Sequence, residues 1–290
     1  MSSANAQARV DELPLGPGVH VLEANEDGLV ALDKPAGVMS HPNRENKEDR
    51  SLLRARYDAE SEIFEWEAEG ETRRAWLINR LDSPTSGVIL VGLDEALSAE
   101  VKRQFASHKV IKTYYAVVKG KPSQASGTWA DRLAKHAGGG TRKGAGAKRV
   151  PAKTRYKVVR TPAAGYPVAL LHLSPLTGRT HQLRIQCGKH GHPVVGDRTY
   201  GSFRFNREVA QSTGDKRMFL HSAETRVNYA HKGKQRHFVA KSPMPDAFHR
   251  LLAHRQGHYT QMIRRQGKAS RPTPGPRSVS QRLARRRFRR

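Results

Sequence analysis

Apolar positions along this chain fall mostly into short runs separated by Gly and Pro, a spacing that favours strands over long helices. The run Leu29-Val30-Ala31-Leu32-Asp33, followed by Lys34-Pro35-Ala36-Gly37, predicts a buried strand closed by a turn. Residues 88–93 form a second continuous apolar run suited to a central strand, and Asp94 stands where it can cap a following helix. Leu97, Val101 and Phe105 then recur every four residues, which puts them on one face of a helix ending near His108. Residues 113–118, rich in Tyr and Val, predict a strand stopped by Gly120. Residues 156–159 and 168–173 predict a hairpin turning through 162–167, and 218–227 and 237–240 add further strands. Leu183 and Cys187, four apart, predict a short helix over 179–190 after a Gly turn, and 245–254 a late helix. Strands outnumber helices without regular alternation, so the expected class is α+β, a mixed and mainly antiparallel β-sheet with flanking helices.

Charge changes the picture next. The 290 residues carry 52 Lys+Arg against 26 Asp+Glu, a formal net charge of +26. Such an excess favours a polyanionic partner bound through counterion release, with nucleic acid foremost. An anionic membrane is the rival, but no apolar stretch approaches the roughly 20 residues that span a bilayer. The polar residues 1–15 show neither a signal-peptide nor an anchor pattern. The single cysteine, Cys187, excludes an intrachain disulfide and a Cys-rich zinc motif, and suits a reducing cytoplasm. Residues 1–18 are expected to be a loose leader, 19–258 one folded domain, and 259–290 a disordered tail. From Arg264 onward that tail holds eleven Lys/Arg and no acid. Inside the domain, 134–153 is Gly-rich, basic and aperiodic, and is expected to be a mobile loop on the nucleic-acid side.

The candidate chemistry lies in Asn79-Arg80-Leu81-Asp82-Ser83-Pro84-Thr85-Ser86-Gly87, where one carboxylate sits among turn formers just ahead of the second apolar run. Taken alone, Asp82 reads as a turn or capping residue. It is accompanied, in order, by Lys34-Pro35-Ala36-Gly37 before it and by Lys112-Thr113-Tyr114-Tyr115-Ala116 after it. Gly178-Arg179-Thr180-His181-Gln182-Leu183-Arg184, Gly191-His192-Pro193-Val194-Val195-Gly196-Asp197 and Leu220-His221-Ser222 complete the set. In these six blocks the chain resembles the RluA-type pseudouridine synthases over roughly residues 20–250. The family signature reads His-Arg-Leu-Asp, two variable residues, Thr-Ser-Gly. This chain departs from it at Asn79, where His is usual, and has Ser222 where Ala commonly follows Leu-His.

The resemblance implies an enzyme that isomerises uridine in structured RNA, ribosomal or transfer. The N1–C1′ bond breaks, the base rotates while bound, and C5 joins C1′, so no cofactor is needed. Asp82 is implied to act at the ribose, as a nucleophile on C1′ or as a base removing a sugar proton, with both roles open. Arg184 is implied to pair with that carboxylate, since a guanidinium keeps a buried carboxylate ionised and oriented. Tyr114 is implied to stack on the target base, Arg80 to fill the space left by the extruded nucleotide, and Leu220 to line the base pocket. Arg179 and His181 are assigned to RNA contact by the same resemblance. Tyr115 faces the other side of the strand and is expected in the core.

No metal is expected, because Cys187, His190 and His192 match no zinc spacing. Residues 138–146 lack the Gly-Lys-Ser/Thr ending of a phosphate loop. With no room evident for a separate RNA-binding domain, substrate capture is expected of the catalytic domain, the basic loop and the tail, in a monomer. The alternative is a noncatalytic RNA-binding or ribosome-assembly protein on the same scaffold, for which Asn79 is the only support.

Overall fold

The computed structural model describes residues 8–42, 48–134 and 149–254. Its centre is the pair of continuous apolar runs, which form β2 (Leu29–Lys34) and β6 (Ser86–Gly92), antiparallel neighbours. Alternation along both strands buries each face. Val30, Leu32, Ile89 and Val91 enter one hydrophobic cluster, and Leu29, Ala31, Val88 and Leu90 another. The remaining strands are β1 (His20–Ala24), β3 (Arg56–Asp58), β4 (Ile63–Ala68), β5 (Glu71–Leu77), β7 (Ile111–Lys119), β8 (Ser126–Ala134), β9 (Arg149–Arg160), β10 (Val168–Pro175), β11 (Leu220–His231) and β12 (Lys234–Lys241). All belong to one 12-stranded sheet with the path β3-β4-β5-β6-β11-β7-β10-β9-β8, with β2 also on β6, β1 on β2 and β12 on β11. Among these pairings only β6 with β11 is parallel, so the mixed, mainly antiparallel expectation describes the sheet.

That parallel contact fixes where the Asp82 loop sits. It joins His221 to Ser86 and Ser222 to Gly87 at the start of β6, just after the loop. Gly87 has φ +108, and a Cβ there would lie 2.1 Å from the carbonyl oxygen of Ser222. A glycine is therefore what lets β11 approach the loop's end.

Among the described residues the longer helices are α1 (Glu95–Ala106), α2 (Gln182–Lys189), α3 (Phe203–Thr213) and α4 (Asp246–Ala253). In α1, Asp94 Oδ1 accepts from the Leu97 amide at 2.8 Å, while Leu97 and Val101 are buried in the second cluster with Phe105 against it. Leu183 and Cys187 of α2 lie in a third cluster under β7 and β10. Among the described residues no helix is long and apolar enough to cross a membrane.

Two expectations are corrected. Residues 8–18 are not a loose leader: Val10 and Leu13 are buried in the first cluster, and Glu12 pairs with Arg73 at 2.7 Å. Their apolar positions are too sparse to show a period, yet each fills a gap in the core. The basic loop is shorter than 134–153, because Ala134 ends β8 and residues 149–153 pair with it as the start of β9. Ala152, Thr154 and Tyr156 alternate inward there, a period hidden by the intervening Lys and Arg. The rest of that loop and the tail from 259 lie outside the described residues. The polar meander β3–β5 and helix α3, which buries only Phe205 and Val209, carry too few apolar positions to be seen in sequence.

Candidate active site

The Asp82 loop, between β5 and β6, is held from below by the Lys34-Pro35-Ala36-Gly37 turn. The fully buried Lys34 ammonium donates to the carbonyls of Pro35 (3.0 Å), Val38 (2.7 Å) and Ser83 (3.1 Å). The Gly37 amide donates to Ser83 O at 2.7 Å, and Ser40 Oγ both donates to Leu81 O (2.7 Å) and accepts from its amide (3.0 Å). Burial pushes Lys34 down to about 7, against the pull of the Asp82 carboxylate, and Arg217 pushes it further. Asn79 Oδ1 accepts from the Leu90 amide at 2.9 Å, pinning the loop's other end to β6. A carboxamide thus does a structural job at the position where the signature has His. The Thr85 amide closes a turn onto Asp82 O at 2.9 Å.

Arg184, at the start of α2, spans two carboxylates. Its Nη1 donates to Asp82 Oδ2 at 2.9 Å, while Nε and Nη2 donate to Asp197 Oδ2 (2.7 Å) and Oδ1 (2.9 Å). Asp197 is completely buried and also accepts from the Thr199 and Tyr200 amides. Burial opposes its charge, but the Arg184 hydrogen bonds and those amides outweigh it and hold the carboxyl below its ordinary value. Burial likewise opposes the Arg184 charge and is overcome by Asp197 and Asp82, so its pKa is raised. The Tyr200 ring lies under the guanidinium at 5.2 Å, and its hydroxyl is 3.1 Å from His181 Nδ1. His181 Nε2 in turn lies 3.6 Å from Asp82 Oδ1. The Asp82 side chain is 24% exposed, whereas those of Arg184 and Asp197 are buried.

These groups face a cavity of about 780 Å³, large enough for a nucleotide. Asp82, Arg184, Tyr114, Arg80, Leu220, Arg179 and His181 all line it, so the structure brings together the residues that the resemblance assigned to catalysis and RNA contact. Tyr114, on β7, has Ser222 opposite it on β11. Burial, assisted by the Asp82 charge and opposed by the neighbouring Ser222 hydroxyl, pushes Tyr114 up to about 12. Leu220 is buried at the base of the cavity. Arg80 is 62% exposed at its rim, 4.0 Å from Glu62. Tyr115 lies off the cavity, edge-on to His172 at 5.9 Å. Cys187 is buried, and His190 and His192 turn to Asp131 and to Lys119 O. Among the described residues no cluster of three or more His, Cys, Asp or Glu could hold a metal.

Residues 28–189 match the family described as RNA pseudouridylate synthase. The chain belongs to this family. A tRNA pseudouridine synthase C from Yersinia pestis is 32% identical over 232 residues, covering 76% of this chain and 85% of that protein. The dual-specificity RNA pseudouridine synthase RluA of Escherichia coli K12 is 36% identical over 191 residues, or 63% and 77% of the two chains. The human RNA pseudouridylate synthase domain containing 1 shares the fold, with a TM-score of 0.60 at 24% identity over 90% of this chain and all of that one. This pseudouridine synthase is thus an RluA-type isomerase acting on RNA.

Sequence reasoning assigned no role to Lys34, Asp197, Tyr200 or Lys112. Lys34, Lys112 and Asp197 stand inside the six motifs, but a buried ammonium caged by carbonyls and a carboxylate behind an arginine are contacts made in space between separate elements. Neither residue type nor spacing signals them.

Proposed function

We propose that Asp82 is the group that acts at the ribose of a uridine lodged in the cavity. Arg184 sets its direction, and Tyr114 and Leu220 face the base. The arrangement that supports this is the Asp82–Arg184–Asp197 chain. A carboxylate hydrogen-bonded to a guanidinium that is itself fixed by a fully buried carboxylate is held in one orientation. From there it can attack C1′ or remove a sugar proton. In either course the N1–C1′ bond breaks, the base turns, C5 bonds to C1′, and the C5 proton is lost while N1 gains one, so atoms balance without a cofactor. Arg80, exposed at the rim, occupies the place of the extruded nucleotide.

The substrate in this proposal is a structured transfer or ribosomal RNA in the cytoplasm, in line with the names of the relatives and the charge of +26. The enzyme works as a monomer without a metal. The test is a map of pseudouridine in total RNA from cells with the gene, without it, and with Asp82→Asn restored. Sites present only with the wild-type gene identify the substrate. A map indifferent to the gene would sink the proposal, and sites restored by Asp82→Asn would remove Asp82 from the chemistry.

A further inference from the structure

The cavity has a second charged end, away from the Asp82–Arg184 pair. Lys112 stands two residues before Tyr114 on β7, so both side chains leave the same face of the strand, roughly 7 Å apart along it. Both line the cavity, together with Phe105 and Arg179. The Lys112 ammonium lies 5.8 Å from the centre of the Phe105 ring and 3.8 Å from where a Cβ on Gly178 would stand. That places it at the turn leading into α2. Arg179, in that turn, spends its Nε on Pro151 O at 3.2 Å, and His108 at the end of α1 feels the charge of both Arg179 and Lys112.

What distinguishes this end is the lack of an acid. Lys34 and Arg184, the cations nearest Asp82, are matched by carbonyls and carboxylates. Among the described residues none of Lys112, Arg179 and His108 forms an ion pair with a carboxylate. Burial alone lowers Lys112, with no carboxylate opposing it, and burial and its two cationic neighbours lower His108. A half-buried ammonium with no carboxylate beside it is costly unless an anion joins it. The spacing from Tyr114 to Lys112 is comparable with the reach from a stacked base across its ribose to its own phosphate.

We propose that Lys112, supported by Arg179 and His108, is the seat for a backbone phosphate of the nucleotide whose base lies on Tyr114. This rests on the reading of the cavity as the uridine site. Its ligand is a phosphodiester oxygen, and its contribution is to binding and placement, with no bond made or broken there.

The test uses the full-length protein and an RNA stem-loop that the wild-type enzyme modifies, prepared also with a single neutral methylphosphonate linkage on the 5′ or 3′ side of the target uridine, or one nucleotide farther away. Lys112→Met should raise KM on the order of 10-fold or more with kcat little changed, and flatten the salt dependence of RNA affinity by about 0.7–0.9 of a log unit per log unit of salt. One of the two adjacent neutral linkages should cost the wild type as much as Lys112→Met does, and cost that variant almost nothing more. Lys112→Arg should recover most of the affinity, which guards against a folding defect. Additive losses in Lys112→Met, coupling only to the farther linkage, or an unchanged salt slope would each overturn the seat. If the wild-type protein made no pseudouridine at all, the uridine reading would fall instead, and the salt slope of RNA binding by Lys112→Met would still decide whether Lys112 holds a phosphate.

Discussion

Arg184 is the residue on which the geometry of the site turns, because its guanidinium bridges two carboxylates that lie in different parts of the chain. Three of its nitrogens are committed, one to Asp82 and two to Asp197. An ammonium is a single point and cannot reproduce that fork. Arg184→Lys is therefore expected to leave the fold intact by circular dichroism and lower kcat about 100-fold, the scale of an ångström-sized misplacement of a catalytic group. Lys34 acts on the same loop from the opposite side, through the Ser83 carbonyl, while the carbonyls of Pro35 and Val38 in its own turn hold the ammonium in place. Its pKa is about 7 in the folded protein against an ordinary 10.5. Between those values the unfolded chain binds more protons, so this residue makes stability rise with pH across that window, and the contribution is lost as pH falls through 7. Urea midpoints at pH 7 and at about 9.5 should diverge for the wild type, and the divergence should shrink in Lys34→Met.

Among the elements, β6 and β11 decide where the chemistry sits. Their parallel contact brings the Asp82 loop beside Leu220 and Ser222, and β11 in turn carries β7 with Tyr114. The contact depends on Gly87, whose positive φ and missing side chain no other residue reproduces. Gly87→Ala is expected to destabilise by about 1–3 kcal/mol from backbone strain alone, with the clash against Ser222 added, and to depress turnover along with the denaturation midpoint. β2, β6, α1, β7, α2 and α4 were legible in the sequence because each has a clear apolar run or a four-residue period. The meander β3–β5 and helix α3 were not, because their outward charges outnumber the few side chains they bury. β9 shows the same masking on a smaller scale, its inward Ala152 and Thr154 lying between basic residues.

At the scale of the whole molecule the charge of +26 makes attraction to RNA strong, long-ranged and sensitive to salt. The eleven Lys/Arg from Arg264 onward, which lie outside the described residues, should add to this attraction without reading sequence. Truncation after Met262 is expected to weaken RNA binding at low salt, with the difference closing as salt rises, while the modified positions stay the same. Anisotropy titrations over a salt series, paired with a pseudouridine map, check both halves. A change in the modified positions would show instead that the tail takes part in choosing the site.

The sequence by itself determined the family, the mixed sheet and the basic character, and singled out Asp82, Tyr114 and Arg184 as candidates, because these follow from ordered motifs, local periodicity and charge. Only the tertiary structure decided how those residues are held. Asp197 behind Arg184, Lys34 beneath the Asp82 loop, Asn79 on the Leu90 amide and the acid-free end at Lys112 are relations between separate elements that the fold brings together. Hydrogen bonds and desolvation act through space, and no spacing along the chain encodes which distant groups will meet.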